Sequence, residues 1–298
     1  MSDGKPPQPS RRLPDWLKVK MGKAQLSEQT RRLVRDAGLH TVCQSARCPN
    51  IGECFGAGTA AFLLMGDRCT RNCGFCAVTH GAPEPLDGDE PRRIAGIVAE
   101  MKLAYAVLTS VTRDDVPDGG AAHFAHTVRA IKAARPSTQV DVLVPDFRGS
   151  EAGVRTVLEA RPDVFNHNVE TVRRLQAQVR PQASYDTSLA VLWTASKLAA
   201  DLPTKSGLMV GLGETDEEIA EALRDLADAG VSIVTVGQYL RPSPRHLPVQ
   251  RFVHPDHFER YREVGENLGL KHVVAGPFVR SSYHAEEAAR TLRTQAPP

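Results

Sequence analysis

No cysteine occurs before residue 43 or after residue 76 of this 298-residue chain. A scattered disulfide framework is therefore excluded, and such frameworks belong to short secreted domains in any case. No run of roughly 18 apolar residues is present, so no segment is expected to span a membrane. Net charge is only +2 with 24% charged residues, which argues against general nucleic-acid binding and confines any basic patch to a local site. Residues 1–20 offer no apolar core for a secretion signal; Pro6, Pro7, Pro9 and Pro14 stand there among basic residues, a poor composition for an amphipathic transit peptide as well. A reducing cytoplasm is the expected location, in preference to a mitochondrial matrix. No internal repeat or low-complexity tract is evident beyond this arm.

The cysteines that are present form two triplets. Cys43, Cys48 and Cys54 read C-x4-C-x5-C, and Cys69, Cys73 and Cys76 read C-x3-C-x2-C. Grouped thiolates are ligands for soft metals and iron–sulfur clusters. Structural zinc would want four ligands, commonly in C-x2-C pairs, and only Cys73 and Cys76 have that spacing. A cubane cluster has four irons, so three thiolates leave one iron for another ligand. That open iron is where function is to be sought.

The 41% hydrophobic content supports a substantial core. Leu13 and Trp16 are candidate anchors in an otherwise extended arm, and residues 25–40 read as a short helix closed by Gly38. The first triplet then falls in a Pro/Gly-rich loop. Beyond it, strands are expected at 60–66, 104–111, 139–146, 163–169, 205–211 and 232–240. Helices are expected at 90–103, 119–134, near 151–160, near 171–177, 187–200, 215–230 and near 255–268, with a short segment at 271–276 closing the chain. Six strand–helix units with nearly continuous apolar strands imply an α/β fold, a parallel sheet covered by helices that curls into a partial (β/α)6 TIM-like barrel. Its chemistry belongs in the loops at the carboxyl ends of the strands, where Cys69, Cys73 and Cys76 fall. Three parts are expected: an N-terminal extension 1–59 with the first triplet, the barrel 60–275, and a tail 276–298, the two extensions covering the barrel mouth.

C-x3-C-x2-C in the first such loop resembles the radical S-adenosylmethionine superfamily. The wider set of motifs is similar to the lipoyl synthase family: TVCQSARCPNIGEC (41–54), FLLMGDRCTRNCGFC (62–76), LTSVTRDDVPDGGA (108–121), NHNVET (166–171), TKSGLMVGLGET (204–215), VTVGQYLRPS (234–243) and GPFVRSSYHA (276–285). The likeness covers roughly residues 11–290. It implies two [4Fe–4S] clusters and S-adenosyl-L-methionine: Cys69, Cys73 and Cys76 would hold the radical-generating cluster, and Cys43, Cys48 and Cys54 an auxiliary one completed by Ser282. Residues alone read Ser281 and Ser282 more readily as a turn or cap before HAEEAAR, and the resemblance reverses that for Ser282.

The same resemblance places Thr109 and Ser110 near the methionine amino group and gives Glu170, beside Asn168, the ribose hydroxyls. Lys205, Gln238 and Arg241, which end or follow later strands, join the cofactor- and substrate-binding set; for each of these residues, closing a strand–helix loop is the plainer alternative. Arg71 and Asn72 either tune the cluster loop or are simply solvated. Gly211 and Gly213 shape a turn before a Thr215 cap and no dinucleotide fingerprint. His123, His126, His167 and His284 read as surface or loop residues.

The activity implied is that of a sulfurtransferase inserting two sulfurs into a protein-bound octanoyl chain. The partners implied are an octanoylated carrier (a lipoyl domain or glycine-cleavage H protein), a low-potential donor such as flavodoxin or ferredoxin, and a cluster-delivery protein, with no nucleic acid and no membrane. A biotin-synthase-like insertase would draw auxiliary ligands from barrel strands, and an electron carrier would fill every iron with cysteine; neither suits these triplets.

Overall fold

The structure is a computed structural model that describes residues 13–17, 24–45, 48, 50–56 and 61–282. Ten strands occur among them: β1 (His40–Thr41), β2 (Ala61–Leu64), β3 (Arg68–Cys69), β4 (Thr79–His80), β5 (Tyr105–Ser110), β6 (Gln139–Leu143), β7 (Val164–Asn166), β8 (Thr204–Val210), β9 (Ile233–Gln238) and β10 (His272–Gly276). The helices are α1 (Ala24–Asp36), α2 (Val42–Ser45), α3 (Ile51–Gly56), α4 (Glu90–Glu100), α5 (Ala121–Ala134), α6 (Glu151–Glu159), α7 (Gln176–Val179), α8 (Tyr185–Leu198), α9 (Asp216–Asp228) and α10 (Pro255–Asn267). No helix among the described residues is long and apolar enough to cross a membrane.

The main sheet runs β1-β2-β5-β6-β7-β8-β9-β10, so each long crossover moves the chain one strand along. Every pairing from β2 onward is parallel, and only β1 joins antiparallel, at the edge of β2. Parallel strands need helical crossovers that cover both ends of the walk, and here they curl the sheet into a partial barrel with helices outside. The six expected strand–helix units are present. The segment at 271–276 is itself a seventh parallel strand, its register running from His272 opposite Ile233 to Gly276 opposite Gly237.

Alternation along the strands separates two environments. Phe62, Leu64, Val140, Val142 and Phe165 face helix residues such as Phe124, Val128 and Val157, and Leu208, Val210, Val234 and Val236 face Leu223, Leu226 and Phe258. The opposite set forms a much smaller apolar cluster of Ala61, Tyr105, Val107 and Val164, interrupted by buried Asp141, Asn166 and Lys205. The outer layer is the hydrophobic core; the lumen is partly polar.

Several local expectations are corrected. The first triplet lies partly in helix, with Cys43 on α2 and Cys54 on α3. The expected helix near 171–177 is a 3-10 turn, Arg173–Leu175, followed by the short α7. In the arm, Leu17 is the buried residue at 2% exposure, whereas Leu13 stands 58% exposed and Trp16 rests its ring edge-on against His254 at 4.9 Å. His123 is buried rather than superficial: its Nε2 meets Glu90 at 2.6 Å, and Glu90 also accepts from the Met65 amide at 2.8 Å, holding the turn that ends β2. His167 is buried too, at 2% exposure, whereas His126 is exposed. Thr215 forms a reciprocal capping box with Glu218, after left-handed Gly211 (φ 101°) and Gly213 (φ 111°). His284, Tyr283 and the remainder of the arm and tail lie outside the described residues.

After β10 the chain turns back into the barrel mouth. Asn50 Nδ2 donates to the Phe278 carbonyl at 2.7 Å, joining the tail to the N-terminal extension. The tail passes so close to β9 that a Cβ on Gly237 would sit 2.1 Å from the Val279 carbonyl oxygen. Backbone atoms cannot yield as a side chain can. Gly237→Ala is therefore expected to destabilise the fold by about 1–3 kcal/mol, the usual cost of overpacking. Urea unfolding checks this, and an unchanged midpoint would refute the tight seating of the tail.

Candidate functional site

The loop after β2 is fastened at many points. β3 and β4 pair in parallel, bringing Cys69 opposite His80 and closing the loop around Cys73 and Cys76. Gly74 donates to Val179 O at 2.9 Å and accepts from the Leu247 amide at 3.0 Å, while His246 Nε2 lies 3.0 Å from Cys76 O. The amides of Arg71 and Thr112 point at Cys69 Sγ, at 3.4 and 3.3 Å. Arg71 itself is not solvated. Its guanidinium is buried and reaches Asp114 at 2.7 and 2.9 Å and Asp146 at 2.5 and 2.8 Å. Burial alone would raise both carboxyl groups; the Arg71 hydrogen bonds outweigh it and hold them below the usual range. The Asn72 side chain is exposed, and the Asn72 backbone N–H donates to Gln182 Oε1 at 2.6 Å.

The first triplet is organised by short turns. The Cys48 amide donates to Cys43 O at 3.0 Å, Ile51 to Cys48 O at 3.3 Å, and Cys54 to Asn50 O at 3.0 Å. Burial pushes the Cys43 thiol up to about 11 and Cys54 to about 12, with the neighbouring thiols adding to the rise. Burial also raises Cys73 to about 11 and Cys76 to about 12. Such thiols stay protonated at neutral pH until a metal displaces the proton, which is the ordinary condition of a thiolate site before loading.

Cys43 and Cys48 of one triplet, Cys69, Cys73 and Cys76 of the other, and Ser281 and Ser282 of the tail all border one cavity of about 490 Å³. Cys54 is set back from its wall but lies within electrostatic reach of Cys43 and Cys48. All six cysteines are free, and among the described residues no three His, Cys, Asp or Glu side chains converge as they would around a single ion. Zinc draws its ligands to about 2.3 Å from one centre, whereas a cubane takes each thiolate on a different iron. The donor set thus suits a four-iron body better than one ion.

The remaining wall is polar. Thr109 and Ser110, at the end of β5, and Asn168, Glu170 and Arg241 all border the cavity. Asn168 Nδ2 donates to Glu170 at 3.1 Å, and its Oδ1 accepts from Ser281 Oγ at 2.7 Å. Glu170 adopts a left-handed backbone (φ 67°), and burial raises its carboxyl against the opposing pull of Arg180. Arg241 is braced by its own loop, donating to His246 O at 2.8 Å and to Pro244 O.

Two expected binding residues stand elsewhere. Lys205 begins β8 rather than ending a strand, and its ammonium lies 3.0 Å from Asp141 in the lumen. Gln238 does end β9, but its side chain donates to Val210, Tyr239 and Arg251 carbonyls at 3.0–3.1 Å and accepts from Val253 N at 2.8 Å. That amide ties the loop after β9.

Arg180 and His167 also face the cavity, and sequence reasoning passed over both in the site. Arg180 belongs to no spacing pattern; it is placed by carbonyls of Asn168 and Val169 at 3.2 and 3.3 Å. His167 sits inside NHNVET (166–171), and that run of polar residues at a strand end was the available signal. Its Nδ1 lies 2.8 Å from Val144 O, which can only accept, so the proton resides on Nδ1. His167 Nε2 and Ser110 Oγ are buried cavity-wall atoms without a hydrogen-bond partner. Unmet polar atoms on a wall are what a bound polar ligand would satisfy.

Comparison with known proteins agrees with this architecture. The profile of the radical SAM superfamily matches residues 63–226. The chain is 54% identical to the lipoyl synthase of Caldanaerobacter subterraneus subsp. tengcongensis over 92% of this chain and 96% of that one. It is 52% identical to the lipoyl synthase of Caldicellulosiruptor saccharolyticus over 94% and 98%. Among solved structures, HydG, a maturase of the [FeFe]-hydrogenase, superposes with a TM-score of 0.59 at 14% identity, covering 88% of this chain and 66% of that chain. Methylornithine synthase superposes at 0.51 and 14%, covering 92% and 94%. These two likenesses concern the fold alone.

Burial, reinforced by Arg180, lowers His167 from an ordinary 6.5 to about 4. Between those values the unfolded chain binds a proton that the folded one refuses. The associated stability is complete above pH 6.5 and is lost as pH falls toward 4, by about 3 kcal/mol at about 1.36 kcal/mol per unit. His167→Gln should flatten this limb when metal-free protein is unfolded in urea from pH 4 to 7. Parallel limbs for both proteins would contradict the burial of a neutral imidazole.

Proposed function

The chain belongs to the lipoyl synthase family of the radical SAM superfamily, and from that membership we propose that it inserts two sulfur atoms at C6 and C8 of an octanoyl chain amide-linked to a lysine of a carrier protein. The observation that carries this reading is the shared cavity: thiols of both triplets and the returning tail border the same space. A reagent generated at one triplet would meet a substrate presented to the other without crossing bulk water, which protects a radical from quenching.

Aliphatic C–H bonds are inert to side-chain acids and bases, so cofactor chemistry is required. When bound, a [4Fe–4S] cluster and S-adenosylmethionine would together supply a radical able to remove hydrogen. Cys69, Cys73 and Cys76 are the residues to hold that cluster. Asn168, Glu170 and Arg180 would orient the nucleoside, with Thr109 and Ser110 toward the methionine end. Arg241 would close the mouth. Cys43, Cys48, Cys54 and Ser282 would hold the second [4Fe–4S] cluster, which would supply the inserted sulfur atoms and be spent in doing so. A hydroxyl ligand suits that fate, since oxygen is a harder and weaker partner for such iron than thiolate.

Two S-adenosylmethionines would be consumed per product, one for each hydrogen removed. The partners in this reading are an octanoylated lipoyl domain or glycine-cleavage H protein, a flavodoxin or ferredoxin, and a cluster-delivery protein, all in the cytoplasm. The N-terminal extension 1–59, the barrel 60–275 and the tail 276–298 then divide the work into sulfur supply, radical generation and closure.

Anaerobic turnover with an octanoyl-lysine peptide, followed by mass spectrometry, tests the proposal. Ala variants of Cys69, Cys73 or Cys76 should lose reductive formation of 5′-deoxyadenosine. Ala variants of Cys43, Cys48 or Cys54 should retain it and form no dithiolated peptide. Loss of cleavage in the second group, with the first cluster intact by its absorption spectrum, would overturn this division of roles.

A further inference from the structure

Lys205 is 1% exposed and Asp141, its partner at 3.0 Å, is fully buried. Tyr105 donates to the same carboxylate oxygen at 3.1 Å. An ammonium in such a place is disfavoured unless its charge is balanced and its several N–H groups are met. Asp141 balances the charge through one oxygen. The second acceptor comes from far along the chain: Lys205 Nζ also donates to the backbone carbonyl of Ser281.

The surroundings are shaped for that contact. Gly207, two residues along β8, leaves room where a Cβ would stand 2.7 Å from Ser281 Oγ and 2.9 Å from Asn168 Oδ1. Ser281 Oγ fills this notch and donates to Asn168 at 2.7 Å. One tail residue is therefore gripped at its carbonyl by a lumen lysine and at its hydroxyl by a cavity-wall asparagine. Ser282, the next residue, borders the cavity with the cysteines.

We infer that Lys205 is a positioning residue: held upright by Asp141, it seats the returning tail through the Ser281 carbonyl and thereby sets Ser282 at the cavity wall. Its task is to bind the chain's own backbone, not a diffusible ligand. A charged donor to a buried carbonyl is among the stronger hydrogen bonds, and its loss corresponds to about 10- to 100-fold in local opening. The inference concerns the seat of the tail and holds whether or not Ser282 is an iron ligand.

Amide hydrogen exchange on the anaerobically reconstituted protein tests it. Lys205→Met should speed exchange of tail residues 276–282 by about 10- to 100-fold. Because this variant strands the Asp141 carboxylate, the paired variant Lys205→Met with Asp141→Leu is measured beside it; replacing a buried pair with apolar side chains is often tolerated. In the paired variant, β6 and β8 should exchange at wild-type rates while the tail remains fast. A tail that exchanges at the wild-type rate in the paired variant overturns the inference, and so does a tail that is fast only in proportion to a general loosening of β6 and β8. Should the single variant fail to fold, the paired variant carries the test alone.

Discussion

Three loop regions of the barrel meet at one guanidinium. Arg71 follows β2, Asp114 follows β5 and Asp146 follows β6, and the arginine fork spans both carboxylates. Each group alone would be costly to bury, since removing charges from water can outweigh their mutual attraction. Together they satisfy one another in planar, paired geometry that lysine would not reproduce. Arg71 lies between Cys69 and Cys73, so fastening it fastens the cysteine loop to the neighbouring strand ends. The cost of taking these three groups out of water offsets much of their attraction. Their contribution is to permit one arrangement of the loop and few others.

Thiol electrostatics depend on that arrangement. A loop fastened against the sheet leaves Cys73 and Cys76 half-buried, and burial raises their thiols. The first triplet reaches the same condition from short turns in α2 and α3. Positive charge is nonetheless close: Arg180 and Arg71 lower the Cys73 thiol against the effect of burial. The site thus resists bare thiolates, and the two arginines would offset part of the negative charge left if a metal displaced the protons. Burial and countercharge are set against each other, and an incoming soft cation decides between the two protonation states.

The barrel lumen shows a second use of buried charge. Lys205 and Asp141, met by the Tyr105 hydroxyl, place charge in a partly polar interior, and the tail reaches them across glycine positions in β8 and β9. Side chains at those positions would fill the lumen and leave no seat for the returning chain. A tail docked largely through its backbone leaves Ser282 facing the cavity, while Ser281 borders it with its hydroxyl engaged by Asn168.

Periodicity and cysteine spacing were legible without coordinates because both are local. Apolar strands buried on both faces read as continuous runs, and the β2, β5, β6, β8 and β9 segments lie where those runs place them. β7 is shorter than its run, covering Val164–Asn166, and the chain bridges β8 again at Glu170, opposite Leu208; β10 was obscure because four of its five residues are only partly buried. Burial of His123 and His167 was invisible, since each depends on a partner more than 20 residues away, Glu90 and the Val144 carbonyl. The same holds for Lys205 and Gln238, whose side chains found intrachain acceptors. The sequence by itself determined the family of strands and helices, the loop that carries the second triplet and the number of thiols available. Only the tertiary structure decided which polar groups share one cavity, because that depends on contacts closed across a curved sheet, where sequence distance no longer measures distance in space.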